Sequence, residues 1–96
     1  MNGNGDLLER KRIAEESRAR VSKLSFGDPV TNICAGEGNP HRHSVFVNKT
    51  SCGRYVRCTD KKGHFWQTGI EVIHPGWLDS DTCAQLYAPV WESNFK

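Results

Sequence analysis

Four cysteines and four histidines are among the side chains of this 96-residue chain that could bind a metal ion or act in catalysis. The segment ICAGEGNPHRH, residues 33–43, holds one thiol, two glycines and a His-x-His pair. Structural zinc is usually held by close-set ligand pairs, and the only close pair here is His41 with His43. We therefore expect no metal and no cofactor, and keep a small zinc-binding domain as an alternative. Its weak candidate ligands are Cys34, His41, His43 and Cys52, with Cys58 brought near them if the strands pair.

Phosphate binding and catalysis are poorly supported by these residues. Neither GxGxxG nor GxxxxGK[ST] occurs, no helix follows the glycines directly, and Glu37 would repel a phosphate. No pattern joins Cys52, predicted to be the most exposed thiol, to a histidine base. Cys34, Cys58 and Cys83 are expected as small buried thiols. We expect that the protein is not an enzyme and that it has no catalytic residue.

The formal net charge of +2 is small, but it is unevenly distributed. Residues 42–62 hold six Lys and Arg against Asp60 alone, whereas residues 63–96 hold one Lys against four acidic residues. No stretch approaches the roughly 18 apolar residues that span a bilayer, and MNGNGDLLERKR has no apolar core behind its charges. We expect no membrane contact, no export signal, a cytoplasmic location and reduced thiols.

Residues 6–24 predict an amphipathic helix, because no Gly or Pro interrupts them and Asp6 is suited to cap the start. Its apolar stripe is narrow, so we expect a largely solvated helix that lies loosely on the domain or docks on a partner. Opposite charges recur at i,i+4 in three expected pairs: Lys11 with Glu15, Arg12 with Glu16, and Glu16 with Arg20.

From Phe26 onward, short strands are predicted at 29–35, 44–49 and 70–74, around the hairpin GRYVRCTDKKGHFWQTG. Its turn places Gly63 in the left-handed region, with Asp60 opposite His64. Pro75-Gly76 suits a type II turn. Asp79 or Ser80 is then expected to cap a short helix over DTCAQLY that Pro89 ends.

This hairpin register sorts side chains onto two faces, because side chains alternate along a strand. Val56, Cys58 and Trp66 are predicted to face the core, and Trp77 and Trp91 to complete it. The opposite face is aromatic and basic, which is typical of a binding surface. The predicted binding residues are Arg54, Tyr55, Arg57, Lys61, Lys62, Phe65 and Gln67.

The Gly27-Asp28-x-Val30 start, the long first loop and the Gly63-centred hairpin resemble small SH3-like barrels of the KOW and Tudor kind, over residues 26–78. The resemblance implies a mainly β fold: a five-stranded SH3-like antiparallel barrel with an N-terminal amphipathic helix and a short C-terminal helix. The expected division is a helical arm at 1–25, the barrel at 26–78, and a short helix and tail at 79–96. The chain is also similar in style to short accessory proteins of phages and prophages.

Families of this shape are mostly binding modules for proteins or nucleic acids. We expect a non-enzymatic module, a phage or prophage accessory protein that binds and modulates a host protein, for example by inhibiting host defence. The alternative is a nucleic-acid-binding barrel that uses the basic and aromatic hairpin face. Against it, residues 26–96 are neutral, with seven basic and seven acidic side chains. The oligomeric state does not follow from these residues.

Overall fold

A computed structural model describes residues 3–95 of the chain, with side chains described over 7–91. Its elements are α1 (Gly3–Val21), β1 (Pro29–Asn32), β2 (His43–Lys49), β3 (Tyr55–Thr59), β4 (Phe65–Gly69), a 3₁₀ turn (Ile70–Val72), β5 (Ile73–Pro75) and α2 (Ser80–Phe95). The strands form one antiparallel sheet in the order β4-β3-β2-β1-β5. The predicted mainly β fold with two helices is confirmed. Within residues 3–95, β4 and β5 do not pair, so the sheet is not closed and a barrel is not confirmed.

The β3–β4 hairpin has the predicted register. The Asp60 carboxylate accepts the backbone N–H groups of Lys62 at 2.9 Å and His64 at 3.0 Å, an Asx-type turn. Gly63 has φ of 85°, a value that favours glycine. The paired residues are Tyr55 with Gly69, Val56 with Thr68, Arg57 with Gln67, Cys58 with Trp66, and Thr59 with Phe65.

The core lies on one face of the sheet, beneath α1 and the 3₁₀ turn. Val56 and Cys58 are buried as predicted, and Trp66 packs against the cluster. The buried members are Val21, Val30, Phe46, Val56, Cys58, Ile70 and Ile73. Trp77 and Trp91 were wrongly predicted to complete this core, because they are 54% and 51% exposed.

The α1 helix begins at Gly3 rather than at Asp6, so Asp6 is not its cap, and it ends at Val21 rather than at residue 24. Its second half is docked, because Val21 is buried and Arg20 Nε donates to the Ile73 carbonyl at 2.9 Å. Leu7 is exposed, as expected of a solvated helix. The predicted solvated helix is therefore correct only for its first half.

The charge pairs along α1 are partly as predicted. Arg12 bonds Glu16 at 2.9 Å and also pairs with Glu9. Arg20 turns to the β5 carbonyl instead of forming an ion pair with Glu16, and among the described side chains Lys11 forms none. The division into 1–25, 26–78 and 79–96 stays a prediction, and residues 1, 2 and 96 lie outside the described residues.

The chain between β4 and β5 differs from the predicted strand at 70–74. Ile70–Val72 forms a 3₁₀ turn and only Ile73–Pro75 is a strand. The cause is topological, because β4 and β5 lie at opposite edges of the sheet and the connection must bend to join them.

The α2 helix runs through Pro89 to Phe95, whereas the sequence predicted that Pro89 ends it. Pro89 has no N–H to bond the preceding turn, and that loss is offset by packing. Cys83 and Val90, spaced by two turns, are both buried on one side of α2. Within the described residues, no helix has the length and apolar character needed to cross a membrane.

The pairing of β5 with β1 is held by Thr31, which is fully buried. The Thr31 hydroxyl donates to the Gly76 carbonyl at 2.6 Å and accepts the Leu78 N–H at 2.9 Å. Gly76 has φ of 80°, as expected of the predicted turn. The segment after Gly76 leads to Asp79, whose Oδ1 accepts the Thr82 N–H at 2.8 Å and caps α2 as predicted.

Substitutions at Thr31 test whether its hydroxyl stabilises the segment that follows β5. Thr31→Val keeps the shape but leaves the Gly76 carbonyl and the Leu78 N–H without their partner, so we expect a loss of roughly 1–3 kcal/mol in the free energy of unfolding. Urea denaturation measures it. Thr31→Ser retains the hydroxyl and should lose much less; equal losses in the two variants would show that the hydroxyl is unimportant.

His74, half-buried in β5 beside Arg20, makes stability depend on pH. Burial first and the Arg20 charge second lower its pKa to about 4. The unfolded chain, with the ordinary His pKa near 6.5, therefore binds this proton more readily than the folded chain. The contribution of His74 to stability is complete above about pH 6.5 and declines as pH falls toward 4. We expect His74→Gln to flatten this decline in urea midpoints measured from pH 7.5 to 4.5; an unchanged slope would contradict the assignment.

Candidate binding face

The hairpin face, defined as Tyr55, Arg57, Phe65 and Gln67, lies on the outer side of β3 and β4. All four side chains are exposed, with Tyr55 at 44% and Phe65 at 71%. Arg57 stands directly opposite Gln67 in the ladder. Tyr55 stands opposite Gly69, which has no side chain to cover the ring. Two aromatic rings and a guanidinium thus share one uncovered surface.

Strand pairing fixes the position of this face. Val56 and Cys58 alternate along β3 with the residues of the hairpin face, and both are fully buried. The hairpin therefore cannot rotate without exposing these two core side chains to solvent. Among the strands of residues 3–95, β4 has a neighbour on one side only, which leaves an open sheet edge next to Phe65. The face is therefore rigid and borders a position where another strand could add.

The three other predicted binding residues lie at the ends of the hairpin. Arg54 precedes β3 and is exposed, and it lines a surface pocket together with Cys52 and Arg18. Lys61 and Lys62 occupy the turn, and the Lys61 ammonium lies 5.9 Å from the centroid of the Trp77 ring. The structure therefore brings four of the seven residues together and places the three cations around them.

The two candidate thiol ligands have separate surroundings. Cys34 is exposed, not buried as predicted, because β1 ends at Asn32 and the chain turns outward. Its Sγ lies 2.9 Å from Asn32 Oδ1. Cys52 is exposed as predicted, with Sγ at 3.3 Å from Thr50 Oγ1.

The two candidate histidine ligands are also engaged separately. The His41 ring stacks on Trp66, with centroids 4.7 Å apart and planes 9° apart. His43 Nε2 lies 2.8 Å from the Leu78 carbonyl oxygen, and because a carbonyl only accepts, this nitrogen carries the proton. Among the described side chains, no three His, Cys, Asp or Glu residues are grouped so that they could hold a metal ion.

A concave region that was not predicted lies at the start of α2. This α2 cleft has a volume of about 490 Å³. It is formed by the loop 37–40, the hairpin turn and the N-terminus of α2, and its charged lining residues are Glu37, Arg42, Asp60, Lys61, Lys62 and Asp79. The capping residue Asp79 allowed the start of α2 to be predicted from the sequence. The sequence did not indicate which loop would lie opposite that helix start.

Three thiols have pKa values shifted in different directions. The Thr50 hydroxyl, followed by the Arg54 backbone N–H, lowers the pKa of Cys52, whereas burial raises that of Cys34 and raises that of Cys58 to about 12. Because the thiolate is the reactive form, we expect iodoacetamide at pH 7.5 to label Cys52 first and Cys58 only on unfolding. Peptide mass spectrometry gives the order. Thr50→Val should slow Cys52 labelling, and faster labelling of Cys34 than of Cys52 would refute the prediction.

Similarity to known proteins assigns neither the hairpin face nor the α2 cleft. No protein-family model, no curated protein and no solved structure matches the chain. The two candidate sites therefore depend on their residues and geometry.

Proposed function

We propose that this protein is a non-enzymatic binding module whose hairpin face binds a protein partner. The observation that carries the proposal is the exposure of Phe65, Tyr55 and Arg57 together on a hairpin whose opposite side chains are fully buried. Aromatic residues and arginine dominate the energetics of protein interfaces. An exposed ring on a rigid strand loses little conformational entropy on binding, which favours affinity.

The charge around the face indicates the chemistry of the partner. Residues 54–62 carry four cations, Arg54, Arg57, Lys61 and Lys62, against Asp60 alone, so an acidic surface with an apolar pocket for Phe65 would be complementary. We propose that the partner is a host protein in the cytoplasm and that the chain is a phage or prophage accessory protein. Inhibition of host defence is the mode of action that this proposal includes. Support for this part comes from the size and style of the sequence.

The proposed function is consistent with a proposal about the fold family. We propose that the sheet belongs to the SH3-like barrels of the KOW and Tudor kind, most of which are binding modules. The return of the last strand, β5, to pair with the first strand, β1, supports it. The short strands and the glycine-centred hairpin turn at Gly63 support it as well.

Nucleic-acid binding is the second candidate. Tyr55 and Phe65 are exposed and could stack on bases, while Arg54, Arg57 and Lys62 could contact phosphates. The neutral balance of residues 26–96 and the contact of Lys61 with Trp77 favour the protein partner instead.

Pull-down from bacterial lysate with the immobilised full chain tests the proposal. Arg57→Ala combined with Phe65→Ala removes one charge and one ring from the face, and we expect it to deplete the retained partner at least about tenfold. Leu8→Ala combined with Lys11→Ala is the matched control, because it removes one charge and one exposed apolar side chain from α1. The control should retain the partner as well as the unmodified chain does.

Two outcomes contradict the protein-binding proposal. Equal retention by the hairpin variant and the unmodified chain would show that the face is not used. Recovery that disappears after nuclease treatment would favour nucleic acid, and affinity for an oligonucleotide should then fall steeply with salt.

A further inference from the structure

The β4 strand lacks the features that usually protect the edge of a sheet. Its sequence, FWQTG, has no charged residue and no proline. It pairs with β3 in an unbroken register, whereas the register between β2 and β3 shifts between Phe46 and Asn48. Natural proteins protect exposed edges with charges, prolines, bulges or a covering element. The β4 edge is therefore open to pairing with another strand.

The opposite edge of the sheet is protected. At β5, Arg20 Nε donates to the Ile73 carbonyl at 2.9 Å, which occupies a backbone acceptor of that edge strand. The α1 helix also packs against β5. Of the two edges found in the described part of the chain, β4 is thus the one that a second strand can reach.

The alternation of hydrogen bonds identifies the β4 groups that face outward. At one end of the β3–β4 ladder the Asp60 N–H bonds the His64 carbonyl at 3.0 Å, and at the other the Ile70 N–H bonds the Arg54 carbonyl at 3.1 Å. Bonded pairs recur at every second residue of an antiparallel ladder, so the even-numbered residues of β4 direct their N–H and C=O groups to β3. The groups that face the open edge belong to the odd-numbered residues, Phe65, Gln67 and Gly69.

These outward groups match those of a second copy of the same strand. When two β4 strands run antiparallel about a two-fold axis at Gln67, this residue stands opposite Gln67 of the second copy, and Phe65 stands opposite Gly69. Every such pair is of the bonded type, in which two residues exchange two hydrogen bonds. Phe65 is then in line with Tyr55 of the second copy, which stands opposite Gly69 on β3. Aromatic side chains on one face of a sheet reach each other across such a position.

The charges at the two ends of β4 are complementary in this orientation. Lys62 is exposed at the turn end and forms no ion pair among the described side chains. At the other end the Glu71 carboxylate lies over Gly69, where a Cβ would come 2.8 Å from Oε1. Arg54 is at the same end but precedes β3, one strand further from the edge. Antiparallel pairing brings Lys62 of each copy toward Glu71 of the other, whereas parallel pairing would bring like charges together.

We propose that two copies of this chain pair antiparallel through β4 and form one continuous sheet about a two-fold axis at Gln67. The contact is small, because only the edges and outer side chains of two five-residue strands meet. A dissociation constant of roughly 10–100 µM is therefore expected. The two hairpin faces become neighbours on one surface, and the pairing needs no other protein. It does not depend on the proposed protein partner.

Sedimentation equilibrium of the purified full chain tests the dimer. The buffer is kept reducing, because Cys34 and Cys52 are exposed and would otherwise be free to form intermolecular disulfides. Loading concentrations from about 5 to about 500 µM bracket the expected dissociation constant. We expect a reversible monomer–dimer equilibrium, and a chain that stays monomeric throughout overturns the proposal while leaving the pull-down experiment unaffected.

Substitutions at Gln67 test the register. Gln67→Lys and Gln67→Glu each place like charges opposite each other at the two-fold axis, so each alone should raise the dissociation constant about fivefold. An equimolar mixture of the two variants should form a heterodimer at least as tight as the unmodified dimer, because the charges are then opposite. The side chain of Gln67 is exposed, so neither change disturbs the core.

Two exposed positions on α1 provide controls of matched charge. Lys11→Gln changes the net charge as Gln67→Glu does, and Glu15→Gln changes it as Gln67→Lys does. Both controls should dimerise like the unmodified chain. Dimerisation of both Gln67 variants at the unmodified strength, or a mixture no tighter than either variant alone, overturns pairing through β4.

Discussion

The pairing of β1 with β5 is the long-range interaction on which the rest of the structure depends. The other three ladders join strands that follow each other along the chain, whereas this one brings Val30 next to Pro75. Its formation closes a long loop, which costs chain entropy that local hairpins do not. Buried hydrogen bonds at Thr31 help to offset that cost. The same pairing sets where the segment 76–79 crosses the sheet, and therefore where α2 begins.

Helix docking explains which surface stays open. Arg20 binds the carbonyl of Ile73, so α1 is tied to the edge strand β5, while Val21 enters the core. The helices contact each other, the 3₁₀ turn and β5, at one side of the sheet. Within the described part of the chain, the outer side of β3 and β4 receives no such cover. The exposed rings of Tyr55 and Phe65 are therefore a consequence of the topology as much as of the local sequence.

The features that could be predicted from the sequence are those that local physics determines. The hairpin register followed from residue alternation and from the turn chemistry of Asp60 and Gly63, so the members of the hairpin face were identified correctly. Predictions failed where contacts between residues far apart in the sequence determine the structure. Pro89 does not end α2, and the helix continues so that Val90 is buried on the same side as Cys83. The α2 cleft was not predictable, since its loop and its helix start are about 40 residues apart and only tertiary pairing joins them.

The late position of β5 in the chain means that the two candidate sites are completed at different points of synthesis. Once residue 69 has left the ribosome, β1 to β4 are all present, but Ile70 and Ile73 of the core, the β5 strand and α2 are still missing. The outer edge of β1 stays uncovered until β5 follows, and the wall of the cleft that α2 provides comes later still. The hairpin face therefore consists entirely of residues made before β5, whereas the cleft also needs residues made after it.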